Sequence, residues 1–111
     1  MFNHQKLICY QLTLGVAKRV PSLVAKWPSG TGYLEDQLKR AICSVLLNIS
    51  EGNGRRSPKE RRRFFDIARA SATESASALE AAHAMGWVSE TEYLNLQDSL
   101  LQVVKILYML P

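Results

Sequence analysis

Apolar residues recur at spacings of three and four along most of the chain, which is the period of an α-helix with one buried face. The pattern predicts helix 1 over about 4–26, a turn over 27–32, helix 2 from there to Gly52 or Gly54, helix 3 from Pro58 to Met85, and helix 4 from Glu90 onward. Strand signals are weak in these 111 residues. We therefore expect an all-α protein, a single domain over residues 1–111 folded as an antiparallel up-down four-helix bundle.

Prolines, glycines and short polar side chains mark where helices 1 and 2 are expected to begin and end. Pro21 lacks an amide donor and crowds the carbonyl of Ala17, so a kink or a break is expected within helix 1. Thr31 offers a hydroxyl to cap helix 2. Either Gly52 or Gly54 is expected to close that helix in the left-handed conformation.

Helix 3 carries the clearest start signal. Ser57 is a suitable N-cap, Pro58 occupies the first helical position, and Glu60 completes a capping box. Ser89 and Glu92 repeat the capping box at the start of helix 4. The predicted inner face of helix 3 is mostly small, which allows close approach of a neighbouring helix: Ala68, Ser71, Ala72, Ser75, Ala78, Leu79 and Ala82.

Helix 4 is more apolar than a single bundle requires. Its apolar arc covers roughly 200° at 100° per residue, whereas one core needs an arc of about 100° or a little more. The residues concerned are Tyr93, Leu94, Leu96, Leu100, Leu101, Val103, Val104, Leu107, Tyr108 and Leu110. Part of this surface is expected to bury against another subunit, giving a homo-oligomer. The alternative is a central, well-covered helix in a monomer.

A polar seam runs along helix 2 beside its apolar face. Its members recur at spacings of three and four, and are Gln37, Arg40, Ser44, Asn48 and Glu51. Polar groups at the edge of a core need partners, and an antiparallel helix 3 would bring Glu74 opposite Arg40 as a guanidinium–carboxylate pair. We interpret the seam as a structural hydrogen-bond network that fixes helix register or subunit packing.

The seam belongs to the most specific pattern of the chain, in residues 34–74. The pattern consists of Gln37-Leu38-Lys39-Arg40-Ala41, Ser44, Asn48-Ile49-Ser50-Glu51-Gly52-Asn53-Gly54-Arg55-Arg56-Ser57, Phe64-Phe65 and Ala70-Ser71-Ala72-Thr73-Glu74. It resembles the signature of the bacterial four-helix-bundle proteins encoded in intervening sequences of 23S ribosomal RNA genes. That superfamily includes the accessory variability proteins of diversity-generating retroelements. The resemblance implies a homopentameric barrel of up-down bundles and, for the retroelement branch, contact with structured RNA and a reverse transcriptase.

The net charge of +4 is concentrated between helices 2 and 3. The basic residues there are Arg55, Arg56, Lys59, Arg61, Arg62 and Arg63, which with Glu60 carry +5 and leave −1 for the rest of the chain. Because the planar fork of arginine suits phosphate, this cluster is predicted to bind a nucleic-acid backbone, in particular structured RNA. The alternatives are a solvated basic face and a docking surface for a protein partner such as a polymerase.

Phe64-Phe65, the first aromatic residues after the start of the cluster, are assigned to the core. Base stacking and sequence-specific readout of a single strand are therefore not expected. Gly52-Asn53-Gly54 lacks the spacing and the following lysine-serine of a nucleotide-binding loop.

No catalytic, metal-binding or cofactor-binding pattern stands out, so a non-enzymatic protein is expected. His4 and His83 lie far apart in sequence, outside any metal-ligand spacing. Cys9 and Cys43 have no CxxC partner and are predicted to be reduced, buried thiols.

The enzymatic alternative is a hydrolytic site centred on Glu51, Glu74 and Arg40, facing each other across the seam. An ion-pair network among the same three residues is the structural interpretation.

The first residues lack the charged and long apolar pattern of a signal peptide, and no stretch reaches the roughly 18 apolar residues of a membrane-spanning helix. A cytoplasmic location is therefore expected.

Overall fold

The computed structural model describes all residues 1–111 and is entirely helical apart from turns and loops. The four helices are α1 (Ile8–Val24), α2 (Gly32–Asn53), α3 (Pro58–Ala84) and α4 (Glu90–Met109), preceded by a short 3-10 helix at Asn3–Lys6. The all-α prediction is confirmed. The molecule is elongated, with extents of 45 × 24 × 24 Å.

The helices pack in a ring in which each touches only its neighbours. The α2–α3 contact is the most extensive, α1 packs on α2 and α4, and neither diagonal pair meets. Two hydrogen bonds show how α2 and α3 are aligned: Gln37 is bonded to Glu74, and Ser44, further along α2, is bonded to Ser71, which comes earlier in α3. The C-terminal end of α2, the N-terminal end of α3 and the C-terminal end of α4 therefore lie together.

One apolar core fills the centre of this ring. Its fully buried large side chains come from all four helices and include Leu23, Leu38, Phe65 and Leu100. Every small residue predicted for the inner face of α3 is buried. Small side chains let backbones approach closely, which accounts for the extensive α2–α3 contact.

The start of the chain differs from its prediction. Leu7 has an extended backbone and separates the 3-10 helix from α1, so α1 begins at Ile8 and not near His4. The predicted break at Pro21 is wrong, because α1 continues through Val24. Pro21 is exposed, so its ring projects towards solvent, and its carbonyl still accepts a bond from the Ala25 amide at 3.2 Å.

The left-handed conformation predicted at the end of α2 is also wrong. Gly54 has φ −86°, and Gly52 lies buried within the helix. Gly52 is required for a different reason: a Cβ there would lie 2.7 Å from Phe65 Cε1 and 3.1 Å from Phe64 Cβ. The left-handed glycines of the chain are Gly30 and Gly86.

The serine half of each capping box predicted for α3 and α4 is confirmed, while the Glu60 and Glu92 side chains make no return bond to the serine amides. Ser57 Oγ accepts from the Glu60 amide at 3.4 Å, and Ser89 Oγ accepts from the Glu92 amide at 3.2 Å. Thr31 does not cap α2 as predicted, because its hydroxyl is turned back to donate to the Pro28 carbonyl.

Two tryptophans meet at the end of the bundle where α1 ends and α4 begins. The Trp27 and Trp87 ring centroids are 5.8 Å apart. Trp27 is buried, and its indole N–H has no hydrogen-bond partner in the chain.

Candidate nucleic-acid interface

The six predicted basic residues lie together at the end of the bundle opposite the tryptophans. We call this surface the basic corner; it comprises Arg55, Arg56, Lys59, Arg61, Arg62 and Arg63. The structure divides the set according to what each side chain touches.

Arg61 and Arg62 turn inward and bind backbone carbonyls at the C-terminal ends of neighbouring helices. Arg61 donates to the carbonyl of Asn53, the last residue of α2 (3.2 Å), and to that of Arg55 just after it (3.3 Å). Arg62 donates to Leu107 (3.4 Å) and Leu110 (2.5 Å) at the end of α4. These carbonyls lie in the last turn of α2 or α4 or just beyond it, at the negative end of the helix dipole, so arginine satisfies and stabilises them.

This arrangement explains why so many cations can stand in the first turns of α3. Positive charge at a helix N-terminus opposes the dipole of its own helix. Two neighbouring helices end at the same place, and their negative ends offset part of that cost through Arg61 and Arg62. The two arginines are therefore structural in the free protein, a role that the sequence prediction did not assign to them.

Arg55 and Arg63 both contact the half-buried ring of Phe64. The guanidinium carbon of Arg55 lies 5.0 Å from the ring centroid, and that of Arg63 lies 5.9 Å from it. Arg55 also forms an ion pair with Glu51 at 2.8 Å. The structure places Phe64 among the arginines, whereas the sequence analysis assigned it to the core.

Arg56, Lys59 and Arg63 remain exposed and make no ion pair or side-chain hydrogen bond. Arg62 has Asp66 at 3.9 Å, at the limit of an ion pair. The surface open to a ligand is thus three unpaired cations beside Arg55, and is smaller than the predicted set of six.

The polar seam is hydrogen-bonded along most of its length. Ser44 Oγ lies 2.7 Å from Ser71 Oγ, and Asn48 donates to the Ser44 carbonyl at 2.8 Å. At one end Gln37 donates to Glu74 at 2.6 Å. The central members are partly buried and the ends are exposed. The seam therefore joins α2 to α3 through a serine–serine hydrogen bond and an amide–carboxylate bond.

The predicted Arg40–Glu74 pair is wrong. Glu74 is bonded to Gln37, one turn earlier in α2, and Arg40 is exposed without an ion pair. Because α2 and α3 are held close by small side chains, the short Gln37 amide reaches Glu74 directly. Glu51 is engaged by Arg55, so Glu51, Glu74 and Arg40 do not form the facing constellation of the hydrolytic alternative.

The two thiols differ in environment. Cys9 is buried, and this burial raises the pKa of its thiol above the ordinary value. Cys43 is exposed on α2, which contradicts its predicted burial. Both thiols are free.

His83 belongs to a small cluster that the sequence analysis missed. Its Nε2 lies 3.0 Å from Glu90 Oε2, and its ring stacks on Tyr93 with centroids 4.1 Å apart. The sequence feature that could have indicated the cluster is the spacing of ten residues between His83 and Tyr93, on either side of the α3–α4 turn. The cluster joins the end of α3 to the start of α4, and no group of three or more metal-ligating side chains forms anywhere in the chain.

None of the four helices combines the length and the apolar character needed to cross a membrane.

Fold and site together define an all-helical protein of four helices with a basic corner at one end. The family described as 23S rRNA-intervening sequence protein matches residues 5–109, and the chain belongs to that family.

A solved structure shows the same fold. It is a protein of unknown function from the S23 ribosomal protein family of Bacteroides thetaiotaomicron, and it superimposes with a TM-score of 0.79 at 20% sequence identity. The alignment covers 90% of this chain and 94% of the other. Comparison with curated proteins gives no match.

Proposed function

We propose that this protein is a non-catalytic nucleic-acid-binding protein that contacts the phosphate backbone of structured RNA. The observation that carries the proposal is that Arg56, Lys59 and Arg63 are exposed, lie close together in sequence and have no ion pair or side-chain hydrogen bond. Clustered cations without internal partners attract a polyanion, and arginine presents a fork that matches phosphate oxygens.

The physical consequence is a salt-dependent affinity. Each phosphate neutralised by a cation releases counterions, so log K falls linearly with log salt, with a slope of about −0.9 per contact on a duplex. Three exposed cations in one corner therefore contribute about 2 to 3 to the slope for each subunit engaged.

A salt titration with a fluorescently labelled RNA hairpin tests this proposal. The triple variant Arg56→Ala/Lys59→Ala/Arg63→Ala is expected to bind weakly and with a flattened slope. The matched control, Lys18→Ala/Lys26→Ala/Arg40→Ala, removes the same net charge from exposed positions outside the corner. Equal losses in both triple variants, or binding by the native protein that ignores salt, would overturn the proposal.

We also propose that the helices run antiparallel in up-down order and that the chain assembles as a homopentamer. Support comes from α4, where Leu94, Leu101 and Tyr108 are more than half exposed along one side. Burying such side chains is favourable, by about 1.5–3 kcal/mol for each large one. Five copies of the corner would add avidity to weak single contacts.

Light scattering of the native protein and of Leu101→Lys tests the assembly. The native protein is expected at five times the chain mass, and the lysine variant at a lower mass, because a charge would be buried in the interface. Asn95→Lys is the control, because Asn95 is exposed on the same helix but is not one of the exposed apolar side chains. A single-chain mass for the native protein at micromolar concentration would contradict the assembly.

The second candidate function is a protein–protein assembly module that docks a partner such as a polymerase without nucleic acid. The same exposed apolar side chains of α4 favour it, since they suit a protein surface better than RNA. Nuclease treatment of a purified complex separates the two functions: a protein-only complex survives, and an RNA-mediated one does not.

A further inference from the structure

Phe64 stands out because it is an aromatic side chain whose ring is occupied by two arginines of the basic corner. Arg55 lies 5.0 Å and Arg63 5.9 Å from the same ring centroid. Those arginines come from different elements: Arg55 follows α2, and Arg63 lies in the first turns of α3. The ring therefore holds arginine side chains from two segments of the chain beside one another.

The residues around Phe64 fix the backbone and the Cβ that carry the ring. Gly52 on α2 is so close that a Cβ at that position would lie 3.1 Å from Phe64 Cβ. The neighbouring Phe65 is fully buried in the core and anchors this turn of α3. A half-buried ring on such a rigid turn provides a fixed surface for long, flexible side chains.

Both arginines retain donors for a ligand. A guanidinium carries five N–H groups, and the Glu51 pair uses only part of this capacity in Arg55. Arg63 makes no hydrogen bond or ion pair. A cation held over a ring keeps its charge and its edge N–H groups, so stacking does not compete with phosphate binding.

We infer that Phe64 is a positioning residue for the nucleic-acid interface, which orders Arg55 and Arg63 as a two-armed clamp on the phosphate backbone. This inference rests on the proposed function. Ordering a flexible side chain on binding costs free energy, and a ring that orders it beforehand removes part of that cost. In this arrangement both arginines present their edge N–H groups to phosphate oxygens, so the clamp binds the ligand through its backbone.

The test separates the positions of the arginines from their charges. Phe64→Leu keeps every charge of the corner, so the slope of log K against log salt should stay native while affinity for the RNA hairpin falls about fivefold. Arg63→Ala should instead lower the slope by about 0.9. Phe64→Tyr restores a ring and should restore affinity. Tyr33→Leu, at an exposed ring near the start of α2, is the control and should bind as the native protein does.

A second measurement does not depend on RNA. Nitrogen-15 relaxation of the arginine Nε groups should show Arg55 and Arg63 more mobile in Phe64→Leu than in the native protein, with Arg62 unchanged. Phe64→Met serves the same purpose if the leucine variant unfolds.

The outcomes distinguish this inference from the function beneath it. Native affinity in Phe64→Leu, or unchanged arginine mobility, overturns the role of Phe64 while Arg63→Ala still reports phosphate binding. An affinity loss that Phe64→Tyr fails to restore also overturns it. If the native protein does not bind the hairpin at all, the proposed function fails and the positioning role falls with it.

Discussion

The two turns at the ends of α3 each connect two helices, but they are stabilised in different ways. Both place a serine N-cap before a helix, Ser57 for α3 and Ser89 for α4. At the α3–α4 turn, Gly86 takes the left-handed conformation, and Glu90 and Glu92 complement the helix dipole. The α2–α3 turn has neither a left-handed glycine nor a matching excess of acidic residues.

This difference in how the turns are stabilised indicates which of them has a role beyond connecting two helices. Local rules of capping and charge account for the α3–α4 turn almost completely. The α2–α3 turn depends on tertiary partners: the Gly52–Phe65 contact closes it, and Arg61 and Arg62 bind the ends of α2 and α4. The cations of the basic corner that do not bind a helix end, Arg55, Arg56, Lys59 and Arg63, are the ones assigned to a ligand.

The largest effect is expected from a methyl group at Gly52. Gly52→Ala would place a Cβ 2.7 Å from Phe65 Cε1 and should lower the free energy of unfolding by about 2 kcal/mol. Gly86→Ala, at φ 82° in open space, should cost about 1 kcal/mol through backbone strain alone. Urea denaturation measures both. Gly15→Ala, in a helix with open space around it, is the control and should stabilise by about 0.5–1 kcal/mol.

The inward arginines should matter next. Arg62→Met removes the donors to Leu107 and Leu110 and should lower the free energy of unfolding by about 1 kcal/mol, since the side chain is partly solvated. Arg56→Met, at an exposed position without partners, should change it by less than about 0.5 kcal/mol. Equal stabilities would show that the two halves of the basic corner do not differ in role.

Removing the serine cap at each turn compares directly how far the two turns depend on local capping. Ser89→Ala should cost about 1 kcal/mol, and Ser57→Ala about 0.5 kcal/mol, because the Ser57 bond is longer at 3.4 Å against 3.2 Å. Thermal unfolding of the two single variants gives the order. A larger loss at Ser57 would mean that the α2–α3 turn relies on local capping after all.

Arg40 is a charged residue outside both turns, so a variant at this position gives a reference for the stability changes above. Arg40→Leu should change the free energy of unfolding by less than about 0.5 kcal/mol, because Arg40 is exposed and Glu74 is bonded to Gln37. Calorimetry of the variant checks this. A loss of several kcal/mol would restore the ion pair that the sequence favoured.

Periodicity and capping signals in the sequence were enough to predict four helices, the small inner face of α3 and the serine caps, because these depend on neighbours along the chain. The pairing of Gln37 with Glu74 depends on how closely two helices approach, which spacing does not specify. The inward role of Arg61 and Arg62 likewise requires knowing where α2 and α4 end in space. Gly52 was recognised as special, but for backbone freedom, when the reason is the absence of a side chain.

Both tryptophans of the chain stand at the end of the bundle away from the basic corner, 5.8 Å from each other. Intrinsic fluorescence is therefore a local reporter of that end. Exciton coupling between the two indoles and the blue-shifted emission of buried Trp27 should disappear when α1 and α4 separate there. RNA bound at the corner should leave the emission unchanged, so unfolding and ligand binding can be followed independently in one cuvette.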